Sequence, residues 1–153
     1  MSTRSAIARV NGDGFKGVYH HWDGYPSGLG KILWDNAKKV GIKQFLAHAI
    51  DSHPAGWSIF PEVCYCHNGP NKISPPDQPI TDKEDEGMEW AYVFDESAGT
   101  MAVLERVRSN GGHAVGLFGT LGRTEAGERE DAWRIRGVYP LDGPEPEPWE
   151  NFE

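Results

Sequence analysis

The chain has only two cysteines, Cys64 and Cys66, separated by a single residue. Cysteines that close do not form an ordinary structural disulfide. With no disulfide framework, a reducing compartment is the simpler expectation. No stretch approaches the roughly 18 consecutive apolar residues of a membrane helix. The opening Met1-Ser2-Thr3-Arg4-Ser5 lacks the apolar run of a secretion signal. A soluble, cytoplasmic protein with no membrane partner is expected. Hydrophobic residues are sparse too, at 38%. Disorder does not follow, because aromatics reach 11% with six tryptophans, and 153 residues are enough for one domain with a real core. Internal repeats are absent.

A basic surplus is also missing. The net charge of −8 is uneven: residues 1–80 balance at +2, residues 81–153 at −10. The acidity lies mainly in Asp82–Glu89 and in the tail Glu145–Glu153, where it serves solubility. Such a balance argues against sequence-independent binding to duplex nucleic acid, which wants a basic face. It leaves room for a compact phosphorylated ligand held by a few cations of the first half.

Alternation predicts strands over Ser5–Val10 and Phe15–His21, joined by the turn Asn11-Gly12-Asp13-Gly14 into an opening β-hairpin. Tyr25-Pro26-Ser27-Gly28 breaks the strand, with Ser27 a candidate N-cap. Leu29, Ile32, Leu33, Ala37 and Val40 recur at helical spacing up to Gly41. Ile42, Phe45, Leu46, Ala49 and Ile50 form a second amphipathic stretch closed by Pro54. The polar, proline-rich stretch Asn68–Gly87 reads as a loop. Strands follow at Glu89–Asp95, Thr100–Val107, His113–Phe118 and Trp133–Tyr139, the last setting Trp133, Ile135, Gly137 and Tyr139 against Arg134, Arg136 and Val138. The expected fold is α+β: a mainly antiparallel sheet opening with a β-hairpin, and two amphipathic helices packed on one face. Residues 1–142 read as a single domain and 143–153 as an acidic, Pro-rich tail, extended or disordered.

The densest chemistry is the run His20-His21-Trp22-Asp23-Gly24-Tyr25-Pro26. It joins a strand end to a glycine-rich helix start, where first-turn amides are unpaired and the dipole favours an anion. The candidate ligand-binding set is Arg4, His21, Trp22, Asp23, Tyr25, Gly28, Gly30 and Lys31. Arg4 and Lys31 would neutralise phosphate, the two glycines would let the ligand reach the backbone, and Trp22 or Tyr25 would stack on a base. The spacing is not that of a Walker A loop: five residues separate Gly24 from Gly30, and Ile32 follows Lys31. The bland alternative makes Trp22, Tyr25 and Pro26 a corner plug and the histidines ordinary polar residues.

Ser2-Thr3-Arg4-Ser5, followed by His21-Trp22-Asp23-Gly24-Tyr25-Pro26, resembles a group of small, largely uncharacterised bacteriophage and prophage proteins. Glu89-Trp90-Ala91-Tyr92-Val93-Phe94 resembles a strand of the same group. The resemblance implies origin more than chemistry. By analogy of context it implies an accessory factor that counters host defence by sequestering a nucleotide-like signal in the host cytoplasm.

Three other readings compete. A small hydrolase or transferase would use His20 or His21 as a general base oriented by Asp23; adjacent strand residues face opposite ways, so one histidine at most serves a site. A variant of it exposes Ser2 as an N-terminal nucleophile. A metal site would draw on Cys64, Cys66 and His67, completed by His20, His21, His48 or His53, although one residue between cysteines is not structural-zinc spacing. An interaction module would use the acidic loop or the tail with Trp149 and Phe152. The reading carried forward is capture of a small phosphorylated, nucleotide-like ligand without turnover. No cofactor is implied, and a homo-oligomer with pockets between subunits is compatible.

Overall fold

The computed structural model describes residues 3–67, 80–83, 87–107 and 132–153. The predicted strand His113–Phe118, most of the proline-rich loop and Ser2 lie outside the described residues.

The chain opens with the hairpin β1 (Ser5–Asn11) and β2 (Gly14–His20), antiparallel from Ser5↔His20 to Asn11↔Gly14. A wide, π-type turn at Pro26–Gly30 runs straight into α1 (Lys31–Val40). Gly41, at φ 89°, takes a backbone conformation that side chains resist, and ends α1 with its amide on the Ala37 carbonyl. α2 (Ile42–Leu46) continues into a second π-type turn, Ala47–Asp51. Short strands β3 (Trp57–Ile59), β4 (Val63–Cys64) and β5 (Ile80–Thr81) precede the long β6 (Trp90–Asp95), β7 (Thr100–Val107) and β8 (Ala132–Pro140).

These form one sheet in the order β4-β3-β2-β1-β6-β7-β8, with β5 beside β2. Among the described residues, five of the seven strand pairings are antiparallel; β1–β6 and β2–β3 are parallel. The fold is α+β with a mixed sheet. β1 is internal and buried on both faces, which suits its run Ala6-Ile7-Ala8.

Both helices cover one face. Leu29, Leu33, Trp34, Ala37, Phe45, Leu46, Ala49 and Ile50 pack on Ile7, Val18, Tyr92, Phe94, Met101 and Val103. The buried stripe of α1 is rotated from the predicted one: Trp34 is inside, while Ile32 stands 41% exposed. On the other face Ala6, Ala8, Phe15, Met88, Val93, Leu104 and Trp133 form a second cluster, with Phe15 edge-on to Trp133.

β8 departs from simple alternation. Val103 pairs with Gly137 but Leu104 pairs with Ile135, so Arg136 is an extra residue on its strand. Such a bulge flips the faces. Trp133 and Ile135 join the second cluster, whereas Tyr139 joins the helix side. Arg136 is thereby delivered to the helix side as well.

The segment after Gly143 folds back against the helix layer. It has no regular element until the turn Trp149–Phe152, yet Trp149 is 3% exposed, inside the core beside Trp34. Its burial holds down a stretch whose proline and glutamate content predicts an extended or disordered tail.

Candidate functional site

The run His20–Pro26 folds as a corner. The amides of His21 and Trp22 bond to the carbonyls of Trp57 and Ser58, prolonging the contact of β2 with β3. Asp23 then takes φ 55°, a left-handed conformation that aspartate tolerates, and its carbonyl accepts the Leu29 amide. Gly24 donates to the Thr3 carbonyl, and its own carbonyl accepts the Tyr92 hydroxyl at 2.5 Å. A Cβ on Gly24 would lie 2.4 Å from Ser5 Oγ and 2.6 Å from the Thr3 carbonyl, so only glycine fits. Tyr25, extended at ψ 160°, and Pro26 start the helix. Ser27 is therefore not the N-cap.

Two predicted openings for a ligand are filled by protein. A Cβ on Gly28 would meet the Asp23 carbonyl at 2.7 Å, and one on Gly30 would meet the Tyr92 and Trp149 rings at 3.1 and 3.2 Å. His20 is buried, its Nε2 accepting the Phe60 amide at 2.9 Å. His21 faces the other way, Nδ1 2.8 Å from the Tyr19 hydroxyl, with Trp22 edge-on to its ring and 41% exposed. No hydrogen bond among the described residues joins Asp23 to either histidine, so the base–orienter pair of a hydrolase is not formed. The Arg4 guanidinium rests against Gly87, ahead of β6, and the Lys31 ammonium is engaged by Asp35 and Glu145.

The helix start does hold anions, and they come from the tail. Glu153 caps the Ser27 amide at 3.0 Å. Glu145 bonds Lys31 at 2.8 Å, with Asp35 at 3.0 Å on the same ammonium. Lys38 donates to the Leu141 carbonyl, and Arg136 bonds both Glu105 and the Phe152 carbonyl. The hydrogen bonds that Lys31 donates to Glu145 and then to Asp35 raise its pKa. Lys31, then the Trp149 indole at 2.7 Å, lower that of Glu145. Burial, reinforced by the Glu153 charge, pushes Tyr92 well up, so it remains a neutral donor.

Between tail and β8 lies a cavity of about 470 Å³, lined by Arg136, Tyr139, Glu145, Asn151, Phe152 and prolines of the tail. Its volume falls among those of small-molecule sites. Arg136, Tyr139, Asn151 and Phe152 went unmarked as ligand contacts in the sequence. The arginines flanking Ile135 are the only hint there, since the bulge that redirects one of them leaves no signature.

A second constellation lies by β3 and β4. Cys64 Sγ is 3.3 Å from His67 Nδ1, and His53 joins them. The Cys66 sulfur accepts the Ala55 amide, just beyond the end of β4. His48 stacks on Trp57, which also packs against His53.

Compared with known proteins, the chain matches no family, no curated protein and no solved structure. Among the described residues, no helix is long and apolar enough to cross a membrane.

Proposed function

We propose that the protein captures a small phosphorylated, nucleotide-like ligand at the groups now occupied by its own tail. The observation that carries this is the pair of carboxylates on the Ser27 amide and the Lys31 ammonium, one helical turn apart. Groups that hold a carboxylate in this geometry suit a phosphate, which brings more charge and more acceptor oxygens.

Each tail carboxylate contributes little: a partly exposed ion pair about 0–1 kcal/mol, and an anion at a helix N-terminus about 0.3–1 kcal/mol. The tail is held more by the burial of Trp149 than by these charges. A phosphate can therefore displace the Glu145 and Glu153 side chains while the tail stays packed. The adjoining cavity offers the Tyr139 and Phe152 rings to a planar base and Arg136 to a second anionic group. Likeness of the His21–Pro26 run to phage proteins supports sequestration of a host signal as the purpose, and a binding protein rather than an enzyme.

Calorimetric titration with inorganic phosphate and a panel of nucleoside phosphates tests this. The Glu145→Gln/Glu153→Gln double variant should bind about tenfold tighter than wild type, a gain of about 1.4 kcal/mol. Lys31→Ala should bind more weakly. Equal affinities across the three proteins, or no binding by the double variant, would refute the reading.

A further inference from the structure

His53, Cys64 and His67 each offer one ligand atom, and these atoms all lie within 4.8 Å of one another. The cluster is assembled from separate pieces of chain. Cys64 ends β4, His67 folds back over it through the following turn, and His53 comes from the turn after Ala47–Asp51. Its burial is graded: Cys64 is buried, His53 half-buried and His67 exposed. One side thus opens to solvent.

A second feature points to a ligand. His53 Nδ1 lies 2.6 Å from the His48 carbonyl, which makes it the protonated nitrogen and leaves Nε2 to coordinate. A backbone carbonyl that fixes the tautomer and orientation of a histidine is the usual outer partner of a metal ligand. Trp57, 4.2 Å from the His53 ring centroid, walls the cluster with Phe60 behind it.

We propose that His53, Cys64 and His67 bind one zinc-class divalent ion, with the fourth position open to water. One thiolate and two imidazoles form a borderline-soft donor set, which excludes the oxygen-seeking Mg²⁺ and Ca²⁺. Tetrahedral zinc at its usual bond lengths separates ligand atoms by about 3.3–3.7 Å. The Cys64–His67 pair is already at 3.3 Å, so closing the set is a matter of small rotations of the two histidines. Cys64 and His67 also have two residues between them, a spacing that paired zinc ligands use. On binding, Cys64 gives up its thiol proton to solvent and the Cys64–His67 contact is replaced by two metal bonds. Cys66 takes no part.

The test is titration of the metal-stripped full chain with Co²⁺, read by sulfur-to-cobalt charge-transfer absorption, then displacement by Zn²⁺. One equivalent should bind with the thiolate band present. Cys66→Ser should leave the band intact, and Cys64→Ser should abolish it. Because Cys64 is buried, its variant is compared only if folded; His67→Ala, at an exposed position, decides the matter otherwise. Losing that ligand should weaken binding by more than the roughly 10–100-fold that loss of an orienting partner costs. No thiolate band, a band lost in Cys66→Ser, or wild-type affinity in His67→Ala would overturn the proposal.

Discussion

Burial, with repulsion from His21 added, lowers the pKa of His20 to about 3. With Nε2 accepting from Phe60, the ring proton sits on Nδ1, which is buried without a hydrogen-bond partner among the described residues. Directly across the strand pair, Ser5 Oγ is equally buried and equally unpartnered. The pH consequence has a definite sign. An unfolded histidine titrates near about 6.5, so between there and about 3 the unfolded chain binds the additional proton. Stability is whole above the unfolded value and falls as pH falls, by about 1.4 kcal/mol per pH unit within that window. His20→Gln keeps an acceptor for the Phe60 amide and removes the titration. Urea unfolding from about pH 7 down to about pH 4 should show wild type losing stability faster than the variant by that slope. Parallel curves would mean that the folded histidine protonates as freely as the unfolded one.

At the scale of elements, the His20–Pro26 corner is held by backbone geometry. Gly24 sits where β1 and the helix start meet, against Ser5 and the Thr3 carbonyl. Gly24→Ala must push one of them aside, and overpacking of this kind costs about 1–3 kcal/mol. Thermal or urea unfolding should register that loss; an unchanged midpoint would mean the corner relaxes freely. The hairpin and the long strands were legible because Trp90, Tyr92 and Phe94, or Phe15 against Lys16, alternate with the period of a strand. The parallel pairing of β1 with β6 was not, because it depends on how the intervening chain crosses the sheet. Nor was the bulge at Arg136: one extra residue in an alternating run changes no composition, yet it moves every later side chain to the other face. The thiol–imidazole cluster was half legible. Cys64 and His67 are close in sequence, but His53 stands eleven residues ahead of Cys64 and is recruited only by the fold.

For the molecule as a whole, the tail binds β8, the helix start and the core together, and its composition concealed this. A lone tryptophan among prolines and glutamates has no periodicity from which to predict burial, so Trp149 read as part of a solvated segment. Two kinds of contact hold the tail, and magnitudes separate them. Trp149 is buried to 3% exposure against Trp34, and removing so large a buried side chain costs about 3–5 kcal/mol. The Lys31–Glu145 pair is partly exposed, and breaking it costs about 0–1 kcal/mol. Trp149→Ala should therefore lower stability several-fold more than Glu145→Gln, and should open the tail to limited proteolysis while Glu145→Gln leaves it protected. Urea unfolding of the two variants beside wild type measures the difference. Comparable losses would mean that charge holds the tail, and a ligand phosphate could then displace the carboxylates only by releasing the whole segment.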